Sequence, residues 1–203
     1  MVKSHVVLLL SWVLFSLIHH VLADSRFKAR MQVIMKSRFK YYRLLYSVIA
    51  FLTLGGVLML QLSTASVAIP LPLAVGLIIA VPAGVAGILL MQISLFKYFY
   101  RVSGVAILFP GPGLAKLETT GIHKYIRHPL YLGTLLVIWS LFLVFPSLSN
   151  MIACTAITVY VLIGLRSEEK KLLGIFGDEY HQYMARTPKL IPSVGSFAIF
   201  RQG

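Results

Sequence analysis

Acidic side chains are scarce. Asp24, Glu118, Glu168, Glu169, Asp178 and Glu179 are the whole complement, against 19 lysines and arginines. Charged residues of both signs make up 12% of the 203 positions, about half the share expected of a soluble domain. That shortage excludes an ordinary water-soluble enzyme and leaves no room for a separate soluble module. Cysteine is nearly missing as well. Cys154 stands alone in an apolar run, so no intrachain disulfide can form, and no Cys/His cluster has the spacing of a zinc site. It reads as a small buried hydrophobe. The formal net charge of +13 would suit a nucleic-acid binder. However, the basic residues lie in connections between apolar runs, with no module to carry a base-reading surface. Nucleic acid is therefore not an expected partner.

What the chain does have is apolar sequence, 58% of its residues, in long runs that suit helices crossing a lipid bilayer. Five runs stand out, at about 5–23, 42–62, 73–95, 130–145 and 150–165. The last two are short for a hydrocarbon core that asks for roughly 20 residues. They suit a packed hairpin turned at residues 146–150. Pro70 and Pro72 belong at the start of the third run, and Pro82 should kink it. The expected fold is all-α: a polytopic bundle of about five transmembrane helices in one membrane domain, 1–203. Residues 1–100 form a three-span part, and residues 101–203 a helical hairpin with its tail.

Loop charge orients this bundle. Arg26, Lys28, Arg30, Lys36, Arg38 and Lys40 lie between the first and second runs. Lys97, Arg101, Lys116, Lys124 and Arg127 lie between the third and fourth. Arg166, Lys170, Lys171, Arg186, Lys189 and Arg201 follow the fifth. The connections around 63–66 and 146–150 carry no charge. The positive-inside rule then places the N-terminus outside and the C-terminus in the cytoplasm. Val21-Leu22-Ala23 resembles a signal-peptide cleavage site, but cleavage there would leave the most basic connection outside, against the charge rule.

Several features have an unremarkable explanation. His19 and His20 are costly near hydrocarbon unless they meet a partner or the interface, and headgroup-level placement is the simpler reading. Tyr41, Tyr42 and Tyr46 suit an aromatic belt. From 166 to 186 the tail reads as an amphipathic helix continuing the fifth span. Its face of Glu169, Leu172, Leu173, Phe176, Tyr180, Tyr183 and Met184 would suit a helix lying on the membrane surface.

The residues that carry chemistry cluster at two places. Arg127-His128-Pro129 precedes Leu130 and Tyr131 at the entry of the fourth span, with proline where a helix's first turn tolerates it. Free N–H groups of that turn can hold an anion. Arg127 adds permanent charge, and His128 adds a group that exchanges protons near neutral pH. Glu168 and Glu169 lie at the far end of the fifth span, where the helix dipole disfavours carboxylates unless a cation compensates. Lys170 and Lys171 are the adjacent candidates, and a cationic ligand is the alternative. A short turn makes the two spans antiparallel neighbours, so both clusters meet at one mouth. A zwitterion with carboxylate, amine and ribose hydroxyls, such as S-adenosylmethionine, would suit it.

At these residues the sequence resembles a known superfamily, the integral membrane methyltransferases that include isoprenylcysteine carboxyl methyltransferase and phospholipid methyltransferases. The resemblance runs through residues 117–133, from Leu117-Glu118-Thr119-Thr120-Gly121 to Arg127-His128-Pro129-Leu130-Tyr131. It continues in Arg166-Ser167-Glu168-Glu169, in residues 176–183, in Pro188 and in Ile191-Pro192. The N-terminal half, with Leu14-Phe15-Ser16-Leu17-Ile18-His19 and Tyr41-Tyr42-Arg43-Leu44-Leu45-Tyr46, is similar to a bacterial branch of methanethiol S-methyltransferases and NnrU-type proteins.

The resemblance implies a bacterial inner-membrane enzyme using S-adenosyl-L-methionine, its active site opening to the cytoplasm. By resemblance the cofactor contacts are Lys116, Leu117, Glu118, His123, His128, Pro129, Leu130, Tyr131, Glu168 and Glu169. Arg127, His128 and Arg166 would face the acceptor and do the chemistry. The chain departs from the family pattern at Ala115 and His123, where members often carry histidine and tyrosine. The implied reaction is methyl transfer to an apolar acceptor reached through the lipid bilayer, a small thiol or an isoprenylcysteine-like carboxylate. A sterol-type reductase holding NADPH, and a non-catalytic scaffold of the same fold, are the alternatives. Pro129 and the paired glutamates point away from the reductase.

Overall fold

The computed structural model describes residues 2–103 and 117–192, with side chains of 97–103 left out of account. The described residues form seven α-helices. α1 is Val2–Ala23, α2 Ser25–Met35, α3 Tyr42–Ser63, α4 Leu73–Ser103, α5 Pro129–Val144, α6 Leu148–Phe176 and α7 Asp178–Arg186. Short 3-10 turns occupy Lys36–Tyr41 and Gly121–Lys124. Four helical stretches, containing α1, α3, α4 and α6, are long and apolar enough to cross a membrane, and α5 is a shorter apolar helix of 16 residues. Along their middles the outward faces are largely apolar, with Leu10, Phe51, Leu62, Ile78 and Phe96 all more than half exposed. Such a surface suits lipid and not water.

The five runs read from the sequence are all helices, and three differ in extent. α4 and α6 run well past the expected ends at 95 and 165. Nothing in the first turns beyond those points breaks a helix, so hydrophobicity stops before the helix does. The basic connection between the first two runs is itself helical. Asp24 caps α2, its Oδ1 accepting from the N–H groups of Arg26 (2.8 Å) and Phe27 (3.0 Å).

The tail is not one continuous helix. α6 ends at Gly177, which adopts φ +51° and donates its N–H to the Leu173 carbonyl at 2.9 Å. Glycine reaches this left-handed conformation without a Cβ penalty. The chain turns there, and α7 folds back. The expected apolar stripe is consequently buried: Tyr180 and Tyr183 pack with Leu117, and Leu172, Leu173, Phe176 and Met184 cover them. Of the two settings an amphipathic stripe allows, this one packs inside the protein.

α4 and α5 pack through glycine. The carbonyl of Gly87 lies 2.7 Å from where a Cβ on Gly133 would sit, and the Gly133 carbonyl 2.8 Å from a Cβ on Gly87. Small residues let helix backbones approach in lipid, where apolar burial alone gives little drive to associate. Elsewhere Leu8 and Trp12 of α1, Val57 of α3 and Ala153 of α6 form a shared core. Cys154 is buried beside the Ile138 carbonyl, in keeping with its packing role.

The connections sort to two ends. At one end the two uncharged connections hydrogen-bond to each other: Ile69 N–H donates to the Pro146 carbonyl (2.8 Å) and Leu148 N–H to that of Val67 (3.0 Å). At the other end Lys28 of α2 lies near Lys171 of α6, and residue 127 meets residue 169. Gly133→Leu should lower stability by about 1–3 kcal/mol through overpacking, seen as a lower melting temperature in detergent by circular dichroism. Gly55→Ala, where a Cβ meets nothing within 4 Å, should leave it unchanged or slightly raised.

Candidate functional site at the α5–α6 mouth

His128 occupies the N-cap position of α5 and makes no side-chain capping bond. Pro129 follows, with no N–H to leave unsatisfied. The first helix-closing bond is Leu132 N–H to the His128 carbonyl, 3.1 Å. The first turn of α5 therefore presents backbone N–H groups with no intrahelical acceptor, at the positive end of the helix dipole.

The residues before α5 are fixed by a strap from the far end of the chain. Arg127 N–H donates to the Pro188 carbonyl (2.9 Å) and His128 N–H to that of Lys189 (3.1 Å). The Arg127 side chain, 7% exposed, completes the fastening. Its Nε and one terminal nitrogen donate to Glu169 Oε1 at 3.0 and 2.5 Å. The other terminal nitrogen donates to the carbonyls of Met184 (2.9 Å) and Thr187 (2.6 Å). Lys189 Nζ reaches the second Glu169 oxygen at 2.7 Å. Two cations thus neutralise one buried carboxylate.

This arrangement corrects one expectation. The compensating charge for Glu169 comes from Arg127 and Lys189, and neither Lys170 nor Lys171 supplies it. Glu169 is thus held by two cations. Glu168 is different: its side chain is 43% exposed and lies within hydrogen-bonding reach of the Tyr131 phenol. The Tyr131 ring stacks near that of His128, with centroids 5.6 Å apart.

His128 is buried, with Nδ1 3.7 Å from Glu168 and Nε2 3.5 Å from Glu169. The second distance is long for a hydrogen bond, and Nε2 has no hydrogen-bond partner among the described residues. Burial lowers the His128 pKa below the ordinary 6.5; the two carboxylates oppose that without reversing it.

The remaining expected site residues are placed as follows. Leu117 is in the α7 core. Glu118 accepts from the N–H and hydroxyl of Thr120 in its own turn. His123 is buried behind Arg127, its Nδ1 3.3 Å from the Arg127 carbonyl and its own carbonyl accepting from Tyr183 at 2.7 Å. Leu130 is half-buried in the first turn of α5, and Arg166 is exposed on α6. Lys116 and Ala115 lie outside the described residues. The structure thus gathers Arg127, His128, Tyr131, Glu168 and Glu169. Lys189 and Thr187 escaped the sequence reading. The motif's Pro188 sits between them, and Lys189 stood out only as one more basic residue of the tail.

Residues 80–179 match the sequence model of the phospholipid methyltransferase family. Methanethiol S-methyltransferase of Crocosphaera subtropica is 35% identical over 80 residues, 39% of this chain and 31% of that protein. Methanethiol S-methyltransferase 1 of Bradyrhizobium diazoefficiens is 34% identical over 77 residues, 38% of this chain and 26% of that protein. A protein-S-isoprenylcysteine O-methyltransferase of Schizosaccharomyces pombe is 33% identical over 81 residues, 38% of this chain and 34% of that protein. The family-model match spans just under half of the chain, and these relatives, all named as methyltransferases, carry the same likeness. The match covers about a third of each relative's length or less. No solved structure matches the chain significantly. Within the superfamily match lie the α5 mouth and both glutamates, whereas the 184–189 strap that clamps Arg127 falls just beyond it.

Arg127→Ala would leave Glu169 buried with one cation fewer, and should cost about 3–5 kcal/mol of stability, measured as a fall in melting temperature in detergent. His128 adds a pH dependence. Its folded-state pKa is below 6.5, so the unfolded chain takes up the proton first as pH falls. Its contribution is fully present above pH 6.5 and is lost on acidification below it. Melting temperatures of wild type and His128→Gln should therefore diverge less at pH 5.5 than at pH 7.5.

Proposed function

We propose that this chain is an integral membrane methyltransferase that uses S-adenosyl-L-methionine to methylate a thiol or carboxylate on an apolar acceptor, a small thiol or an isoprenylcysteine-like group. The observation that carries this reading is the unspent polar capacity at the α5 mouth. Three features fit the cofactor: uncapped N–H groups at Leu130 and Tyr131, a partnerless buried His128 Nε2, and a half-exposed Glu168 beside Tyr131. An anionic carboxylate suits the first, an uncharged hydrogen-bonding group the second, and an ammonium or ribose hydroxyls the third.

The cofactor would supply an electrophilic methyl group. The chain's residues bind and orient. Pro129 and Leu130 shape the first turn, Tyr131 fixes Glu168, and Arg127 with Glu169 holds the mouth rigid. Rigid placement matters because alignment of reacting groups lowers a bimolecular barrier, and because charge cancels during transfer from a sulfonium to an anion, which an environment poor in water favours. Lys116, Leu117, Glu118 and His123 join the cofactor side through the resemblance alone, and Arg166 joins the acceptor side in the same way.

With the basic end in the cytoplasm, the mouth opens to cytosolic cofactor while the apolar acceptor arrives through lipid in a bacterial inner membrane. The relatives named for methanethiol and for isoprenylcysteine support this acceptor class.

Isothermal titration with S-adenosylhomocysteine tests the reading. Wild type should bind, and Glu168→Ala and Tyr131→Phe should each weaken binding about 10-fold or more, the loss typical of a hydrogen bond to a charged group. Full-strength binding by both variants would refute it.

A further inference from the structure

His19 has partners inside the bundle. Its ring lies against the Tyr46 hydroxyl, 2.7 Å from Nδ1 and 2.9 Å from Nε2. It stacks on Tyr160 of α6, centroids 5.5 Å apart and planes 19° from parallel. Tyr160 and Tyr46 lie close enough to Tyr131 to interact with it electrostatically, and Tyr131 stacks near His128. Polar side chains from α1, α3 and α6 therefore meet at His19, within electrostatic range of Tyr131 at the α5 mouth. Histidine and tyrosine hydroxyls inside a membrane bundle are expensive and mark function more often than packing.

Tyr160 also closes an apolar cleft of about 470 Å³ between α1 and α6, lined by Leu9, Val13, Leu17, Ile152 and Val159. Ser16, Thr155 and Tyr160 are polar residues in this otherwise largely apolar lining. His20, next to His19 in sequence, lines the cleft as well. The two histidines thus serve different surfaces.

We propose that His19, Tyr46 and Tyr160 form the acceptor site: they take a thiol of an apolar molecule, with His19 receiving its proton and the two phenols holding the sulfur. This rests on the methyl-transfer reading above and selects the thiol within it. The balance is simple. The acceptor S–H bond breaks as an N–H bond forms on His19. The sulfur's freed pair then bonds the cofactor's methyl group, whose old bonding pair stays on the cofactor sulfur, and His19 returns its proton to water. The groups facing His19 are Tyr46 from α3, with Tyr42 behind it, Tyr160 from α6, and His20 on its own helix. Among these groups there is no carboxylate, and Glu168 stands beyond Tyr131.

The test uses the full-length protein in detergent, with butanethiol as acceptor and the variants His19→Gln, Tyr46→Phe and Tyr160→Phe. S-adenosylhomocysteine affinity and melting temperature should match wild type in the variants. Binding of radiolabelled butanethiol by equilibrium dialysis should weaken in Tyr46→Phe and Tyr160→Phe. In His19→Gln, kcat/KM at pH 7 should fall about 100-fold, the scale of a lost general base, and should recover as pH rises and the free thiol ionises. Wild-type kcat/KM and pH profile in His19→Gln would overturn the proposal. So would variants that lose melting temperature and S-adenosylhomocysteine binding together, since that marks a purely structural cluster. Wild type failing to bind S-adenosylhomocysteine would instead overturn the methyl-transfer reading, and this inference with it.

Discussion

Arg127 brings a permanent charge to a place where water is nearly excluded, and the surrounding residues are organised by the need to satisfy it. Burying a guanidinium beside a carboxylate is worthwhile only when nearly every donor finds an acceptor. Arg127 meets that condition with Glu169 on α6 and the carbonyls of Met184 and Thr187 after the last span. Three distant parts of the chain are tied at one side chain. The start of α5 is thereby held in place, and its backbone N–H groups and His128 are left over for something else.

The opposite end of the bundle is closed without any charge. Backbone groups of the 67–69 segment pair with 146–148, and Trp12, Gln61 and Asn150 form a side-chain chain across α1, α3 and α6. Between the ends, the close approach of Gly87 and Gly133 sets the spacing of α4 and α5. Satisfied polar groups hold both rims, and backbone contact holds the middle. Such an arrangement leaves the lipid-facing surface free to be uniformly apolar.

The five apolar helices were legible because a bilayer demands uninterrupted apolar runs, and few other constraints write so plainly. The meeting of the α5 start with Glu168 and Glu169 was legible too, since a short turn forces antiparallel neighbours. The partner of Glu169 was not. Lys170 and Lys171 are adjacent in sequence, but successive helical positions turn about 100° apart, so adjacency places them on other faces. The true partners come from across the hairpin and from a strap twenty residues later, which only tertiary structure brings near. α2 was hidden by its basic composition, although its Asp24 cap is an ordinary start signal. The burial of the tail stripe was equally hidden. An apolar face looks the same whether it meets lipid or Leu117.

The strap at 184–189 has a consequence for how the protein is made. Every apolar helix among the described residues precedes it in the chain, so synthesis delivers the last acceptors for Arg127 only after those spans have emerged. Until then the mouth lacks the carbonyls of Met184 and Thr187 and the ammonium of Lys189. Insertion into lipid and completion of the polar mouth are therefore separate events in time. The bundle can be threaded first, and the site is fastened afterwards.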